Sequence, residues 1–172
     1  MADVIKADLC VIGAGSAGLT VAAGGAQMGA KVVLIEKGEM GGDCLNYGCV
    51  PSKAMLAAAH VAQDFRDAGR FGINPIEPEI DFAAVNDHVR DVIGAIAPMD
   101  SQERLEGLGV RVIRASARFT GPREVAAGGH HIRARRFVVA TGSSAAVPPI
   151  PGVESVPFLT NETIFDLRER PD

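Results

Sequence analysis

An α/β chain built on a parallel sheet is what the sequence predicts, and three observations carry that prediction. Residues 7–38, ADLCVIGAGSAGLTVAAGGAQMGAKVVLIEKG, read in order as strand, glycine turn, helix and strand. Two helical patterns follow, one from Pro51 to about Ala68 and one whose apolar residues recur at steps of three or four from Phe82 to Ile96. After these come short β-rich runs punctuated by Gly121-Pro122 and Gly128-Gly129.

Each element has a local reason. Leu9 to Ile12 is a short apolar run that ends in glycines. The helix after it continues to about Met28, and Lys31 to Glu36 forms the second strand, which makes a βαβ unit with its glycines at the first turn. Pro51 is tolerated in a first helical turn, and Met55, Leu56, Val61 and Phe65 offer a helical face behind it. RFGINPIEPEIDF is a proline-punctuated connection to the helix of Phe82, Val85, Val89, Val92, Ile93 and Ile96, which is disturbed near Pro98. VRVIRASARFTG, REVAAGG and HHIRARRFVVATGS read as strands, and the remainder as a proline-rich crossing with a short helical or irregular tail. No internal repeat of the length that signals a solenoid is seen.

Composition narrows the function classes. A chain of 172 residues with 47% hydrophobic and 22% charged residues is an ordinary globular mixture, enough for one domain or a piece of something larger. The net charge of −4 gives no overall attraction to nucleic acid or acidic membranes. Arg111, Arg114, Arg118, Arg123, Arg133, Arg135 and Arg136 are read as solvated strand faces, because no aromatic residues alternate with them as stacking platforms. No apolar stretch approaches the ~20 residues of a membrane span, and the N-terminus lacks the order of a secretory signal, so a cytoplasmic location is expected.

Gly13-Ala14-Gly15-Ser16-Ala17-Gly18 fits the dinucleotide fingerprint. The first glycine permits the tight turn, the second lets backbone approach a pyrophosphate, and the third lets helix and strand pack closely. The helix behind it offers free N–H groups and a positive dipole end. Glu36, at the end of the next strand, stands where a carboxylate accepts hydrogen bonds from ribose hydroxyls and disfavours a 2′-phosphate. The adenosine half therefore belongs to FAD or NAD, and the turn alone does not separate them.

In GGDCLNYGCVPSK, Cys44 and Cys49 are five positions apart. Across a regular helix that separation rises about 7.5 Å, whereas a disulfide wants Cα atoms roughly 4.4–6.8 Å apart, so the segment before Pro51 must be looped or distorted if the two are to bridge. The short loop suits a readily reduced bridge better than a stabilising one. A helix beginning near Pro51 would put Cys49 at its positive end and Lys53 nearby, which favours a reactive sulfur. A metal site is not expected, since no second cysteine pair or His-x₃-His spacing supplies the remaining ligands. Cys10 reads as a buried small apolar residue, His130-His131 as surface beside a turn, and His60 as a structural helix-face residue.

GAGSAGL, VVLIEKGEMGGDCLNYGCVPSKAML and FVVATGSSAAVPPIPG together resemble the N-terminal segment of the class I pyridine nucleotide–disulfide oxidoreductases, among them dihydrolipoamide dehydrogenase, glutathione reductase and mercuric reductase. The resemblance covers essentially the whole chain. It implies a Rossmann-like FAD-binding fold, with a parallel sheet, helices and a small antiparallel β meander, and it implies that residues 1–172 are the first part of that FAD domain. The family's NAD(P)-binding and dimerisation domains would be absent. Gly13, Gly15, Ser16, Ala17 and Gly18 would hold the FAD pyrophosphate, and Glu36, with Lys37 beside it, the adenosine ribose. Gly42, Asp43 and Cys44 would lie along the flavin, Lys53 beside its ring system, and Ala117, Thr141, Gly142 and Ser143 would complete the site. Cys49 would be the thiol next to the flavin and Cys44 the one that meets substrate.

The resemblance further implies electron transfer from NAD(P)H through FAD to a Cys44–Cys49 disulfide, and then to a small-molecule disulfide, Hg(II) or another acceptor, in a full-length homodimer. Asp43 stands where many members have threonine and Tyr47 where a small aliphatic residue is usual, which resembles a mercuric-reductase-like branch. Two other readings remain open: a stand-alone FAD- or nucleotide-binding module, and a thiol–disulfide exchange protein without flavin.

Overall fold

In a computed structural model, residues 4–171 are described. The chain divides into two compact units, Met1–Leu45 with Ile96–Ser143, and Asn46–Ala95 with Ser144–Asp172.

The first unit is a six-stranded sheet. Its strands are β1 (Val4–Ile12), β2 (Val32–Glu36), β3 (Arg111–Arg114), β4 (Ala117–Gly121), β5 (Glu124–Ala127) and β6 (His130–Val139), in the spatial order β3-β2-β1-β6-β5-β4. The first four in that order are parallel, while β6, β5 and β4 are joined antiparallel. The expected α/β fold with a parallel sheet and an antiparallel meander is therefore present, and the meander continues the main sheet through the ten residues of β6.

The run Val32-Val33-Leu34-Ile35 shows why β2 does not alternate in the sequence. Val32 and Leu34 pack into one core cluster with Leu19 and Ala22 of helix α1 (Ser16–Gln27) and Leu105; Val33 and Ile35 pack into another with Ile5, Cys10, Val125 and Ile132. A strand covered on both faces reads as a continuous apolar run. Leu105 belongs to helix α5 (Gln102–Gly107), for which the sequence reading had no element. The Ser101 hydroxyl caps it by accepting from the Arg104 amide at 3.2 Å. The run expected as one strand, VRVIRASARFTG, divides at Ala115-Ser116 into β3, whose ladder to β2 ends with the Ala115 amide on the Glu36 carbonyl at 2.9 Å, and β4, which pairs with β5.

Burial pushes the Cys10 thiol up to about 11. A folded-state value raised above the usual one, near 9.0, means stability that is whole below pH 9 and is lost as pH rises towards 11. Unfolding titrations at pH 8 and 11 should show a steeper loss for the native chain than for Cys10→Ala; equal slopes would contradict this.

The second unit holds helix α3 (Cys49–Asp67) and, up to Ala95, helix α4 (Phe82–Ile96). Helix α4 gives way to a 3₁₀ turn at Ala97–Asp100, around Pro98, as its sequence predicts. On α3 only Met55 of the expected apolar face is half-buried; Leu56, Val61 and Phe65 are exposed, while Pro51 and Ala54 are buried. Met55 and the small residues Ala58, Ala59 and Ala62 line a cleft with Phe82 and Val85, since a short side chain lets a second element approach closely. Asn86, fully buried on α4, donates from Nδ2 to the Phe165 carbonyl at 2.9 Å, and its Oδ1 has no partner. We expect Asn86→Ala to cost about 1–3 kcal/mol and to speed proteolysis near Phe165, because the bond is lost and a void remains. Unchanged stability and digestion would contradict that.

Candidate functional site

The glycine turn lies at the C-terminal end of β1, between the strand and α1, with Gly15 at the helix N-cap position. Gly13 has φ +107°, and a Cβ there would stand 2.1 Å from the Ala140 carbonyl oxygen. A Cβ on Gly18 would stand 1.8 Å from the Gly13 carbonyl oxygen. Both positions are closed to any side chain by the protein's own backbone. Gly15 differs: its φ of −82° is ordinary, and the nearest atom to an added Cβ is the Gly42 Cα at 3.8 Å. The fold does not demand glycine at 15, so the space over it is available to a ligand that approaches the backbone closely.

Glu36 stands at the end of β2 and clamps the turn from below. Its Oε2 accepts from the Ala14 amide at 2.5 Å and its Oε1 from the Gly38 amide at 2.6 Å. Arg114, which the sequence reading assigned to a solvated face, reaches the Gly38 carbonyl from β3. The Gly41 amide donates to the Ala14 carbonyl at 2.9 Å, so the loop after β2 docks on the turn. Gly42, with φ +59°, would place a Cβ 2.7 Å from the Gly15 Cα. Its need for glycine therefore comes from this docking as well as from anything bound along it.

A cleft of about 260 Å³ opens beside the turn, lined by Gly13, Glu36, Lys37, Ala117 and Thr141 together with Ile12, Ile35, Ala115 and Ser116. Five residues expected to contact the cofactor thus meet in one place. Ala115 and Ser116 carry no signal in the sequence, where a single strand is expected to run through them. Ser16 and Ala17 are exposed in the first turn of α1, whose leading N–H groups have no partner within the helix. Gly142 and Ser143 are exposed in the segment after β6 and do not line the cleft.

Asp43 and Cys44 lie on the short helix α2 (Gly42–Asn46). The helical path then breaks at Tyr47-Gly48 and restarts at Cys49, the first residue of α3, which is the interruption the cysteine spacing required. Cys44 is half-buried and Cys49 exposed, both as thiols, while Cys10 is buried. Within the second unit, Lys53 follows Cys49 by four residues, one turn along the same side of α3, and both are exposed. Among the described residues no three His, Cys, Asp or Glu side chains gather as a metal site, and no helix is long and apolar enough to cross a membrane. His131 is tied more closely than a surface residue: its Nδ1 lies 2.9 Å from Glu124, and that contact, with Thr120, holds the Glu124 carboxyl below its usual range.

A family model for pyridine nucleotide-disulphide oxidoreductase matches residues 7–171, and the chain belongs to that family. It is 35% identical to a mercuric reductase of Streptomyces lividans, over 96% of this chain and 36% of that protein. It is 38% identical to a dihydrolipoyl dehydrogenase of Thermus scotoductus (92% and 32%) and 34% identical to a glutathione reductase of Burkholderia cepacia (93% and 35%). Among solved structures it resembles the Cu(II) complex of the HOCl-induced flavoprotein disulfide reductase RclA from Escherichia coli, with a TM-score of 0.75 and 26% identity over 94% of this chain and 34% of that one. The chain spans about a third of the length of these relatives.

Proposed function

We propose that this chain contributes the FAD-holding turn and the thiol pair of a reductase acting on a disulfide, Hg(II) or a related acceptor. The single observation that carries the reading is Gly15, a turn position that the fold leaves open to a Cβ and that the sequence nevertheless keeps as glycine. When bound, FAD supplies two-electron exchange between a nicotinamide and a disulfide. The N–H groups at the start of α1 would hold its pyrophosphate, with Ser16, Ala17 and Gly18 in that first turn. Glu36 would hold the adenosine ribose, Lys37, Ala117 and Thr141 would line the adenosine side, and Gly42, Asp43, Lys53, Gly142 and Ser143 would complete the contacts.

The chain's own chemistry lies in its sulfurs. The Cys44 thiolate attacks a substrate disulfide and releases one substrate thiol; Cys49 then attacks the mixed disulfide and releases the second. Two electrons and two protons pass to the substrate as a Cys44–Cys49 bond forms, and NAD(P)H is the source that restores the dithiol. The nicotinamide site and the dimer contacts would belong to segments outside these 172 residues, so this chain alone should show no NAD(P)H-dependent turnover. A flavin-free exchange protein is disfavoured by Gly15, which such a protein would not need.

Titration of the chain with FAD, followed by flavin fluorescence, tests the reading. Saturable binding near one per chain, weakened at least about tenfold by Gly15→Val, is expected. Absence of binding, or binding indifferent to Gly15→Val, would overturn the assignment of this turn.

A further inference from the structure

At the other end of the same strand, about 20 Å along β1 from the glycine turn at ~3.3 Å per residue, lies a second cleft of about 410 Å³. Five cationic side chains line it, Lys6, Lys31, Arg123, Arg133 and Arg135, against one carboxylate, Asp8. Ala7 and Ala134 are register partners across β1 and β6 whose backbone runs under it, while their side chains are buried in the sheet core. In a chain whose net charge is −4, so many cations around one depression is a local reversal of sign.

The carboxylate neutralises only part of it. Asp8 Oδ2 takes the Lys31 amide at 3.0 Å and Oδ1 takes Arg135 at 3.3 Å, and both contacts lower the Asp8 carboxyl below its usual range; the Lys31 ammonium acts on Asp8 through its charge, without an ion pair. Lys6, Lys31, Arg123 and Arg133 form no ion pair among the described residues. Glu124 faces Arg133 across β5 and β6 and acts on it at a distance, but its Oε1 is taken by His131 and Thr120. Lys6 and Arg133 are also direct register partners on neighbouring parallel strands, which lie about 4.8 Å apart. Like charges side by side on a sheet are unfavourable, and a bound anion reverses the sign of that interaction. Arg123 is held in place because its carbonyl accepts from the Ala134 amide at 3.3 Å, which ties the β4–β5 turn to β6.

We propose that this cleft is a binding site for an anion carrying two or more linked phosphate groups. A single phosphate would engage one or two of the cations, whereas a phosphate chain spans several, with arginine forks and lysine ammonium groups as its donors. The site shares no lining residue with the cleft beside the glycine turn and does not depend on the flavin reading.

Calorimetric titration of the chain with sodium tripolyphosphate, at low ionic strength and again at about 0.15 M, tests this. One saturable site is expected, weaker at the higher salt. Lys31→Gln with Arg133→Gln should weaken it at least about tenfold, Arg123→Gln alone should weaken it measurably, and Gly15→Val should leave it unchanged. A nucleoside triphosphate titrated into the Gly15→Val chain separates a bare phosphate chain from a nucleotide as ligand: equal affinity to tripolyphosphate supports the first, tighter binding the second, and both uphold the cleft. No saturable binding, binding indifferent to the three cleft substitutions, or binding lost with Gly15→Val would overturn the proposal.

Discussion

Gly18→Ala is expected to cost the fold more than about 3 kcal/mol, the range of substitutions that force backbone apart. The added methyl would stand 1.8 Å from the Gly13 carbonyl oxygen and 2.9 Å from its carbon. Neither side can yield cheaply, because the Gly13 amide is bonded to the Ile35 carbonyl at 2.8 Å and the Ala140 amide to the Ile12 carbonyl at 2.8 Å. Gly13→Ala should behave alike, with a positive φ added to the 2.1 Å approach to Ala140. Gly15→Val is the contrast: φ −82° and ψ −172° suit valine, so denaturant unfolding should change by less than about 1 kcal/mol while flavin binding is lost. Equal destabilisation by all three substitutions would mean that the turn is purely structural.

Serine at Cys44 or at Cys49 should lower acceptor reduction by the full-length reductase by roughly 1,000-fold or more, with flavin binding retained, since a hydroxyl neither attacks a disulfide nor closes one. Cys10→Ser should leave turnover intact, because Cys10 sits fully buried in the sheet core. Alkylation followed by mass spectrometry gives the complementary reading: exposed Cys49 should be labelled first, half-buried Cys44 next, and Cys10 only on unfolding. Turnover that survives loss of either Cys44 or Cys49 would remove the dithiol from the mechanism.

The readable part of the fold was the part set by neighbours in sequence. The glycine turn, its strand and helix, and the interruption between the cysteines follow from local chemistry and appear where the residues put them. What was not readable depends on partners far along the chain. The division of β3 from β4 is set by their partners, β2 for the first and β5 for the second, and the reach of Arg114 to Gly38 crosses 76 positions. Helix α5 was missed although Ser101 is a fair capping signal, because six residues with one buried leucine carry almost no periodicity. On α3 the large residues suggest the covered face, but of them only Met55 lines the cleft with α4, beside alanines that are silent in a hydrophobic pattern.

The place of β6 has a consequence for how the molecule is made. This strand lies between β1 and β5, and its register with β1 joins Val4 to His131 and Ile12 to Val139. During synthesis the first strand, turn and helix leave the ribosome early, yet the backbone that closes over Gly13 belongs to Ala140 and arrives much later. The nascent chain must therefore carry an unpaired, apolar β1 edge through the translation of more than a hundred further residues, a long-range closure of the kind that slows folding and invites aggregation. Chaperone dependence in the cell should thus track the delay before β6 emerges, and a pause in translation just ahead of it should be more harmful than one just after.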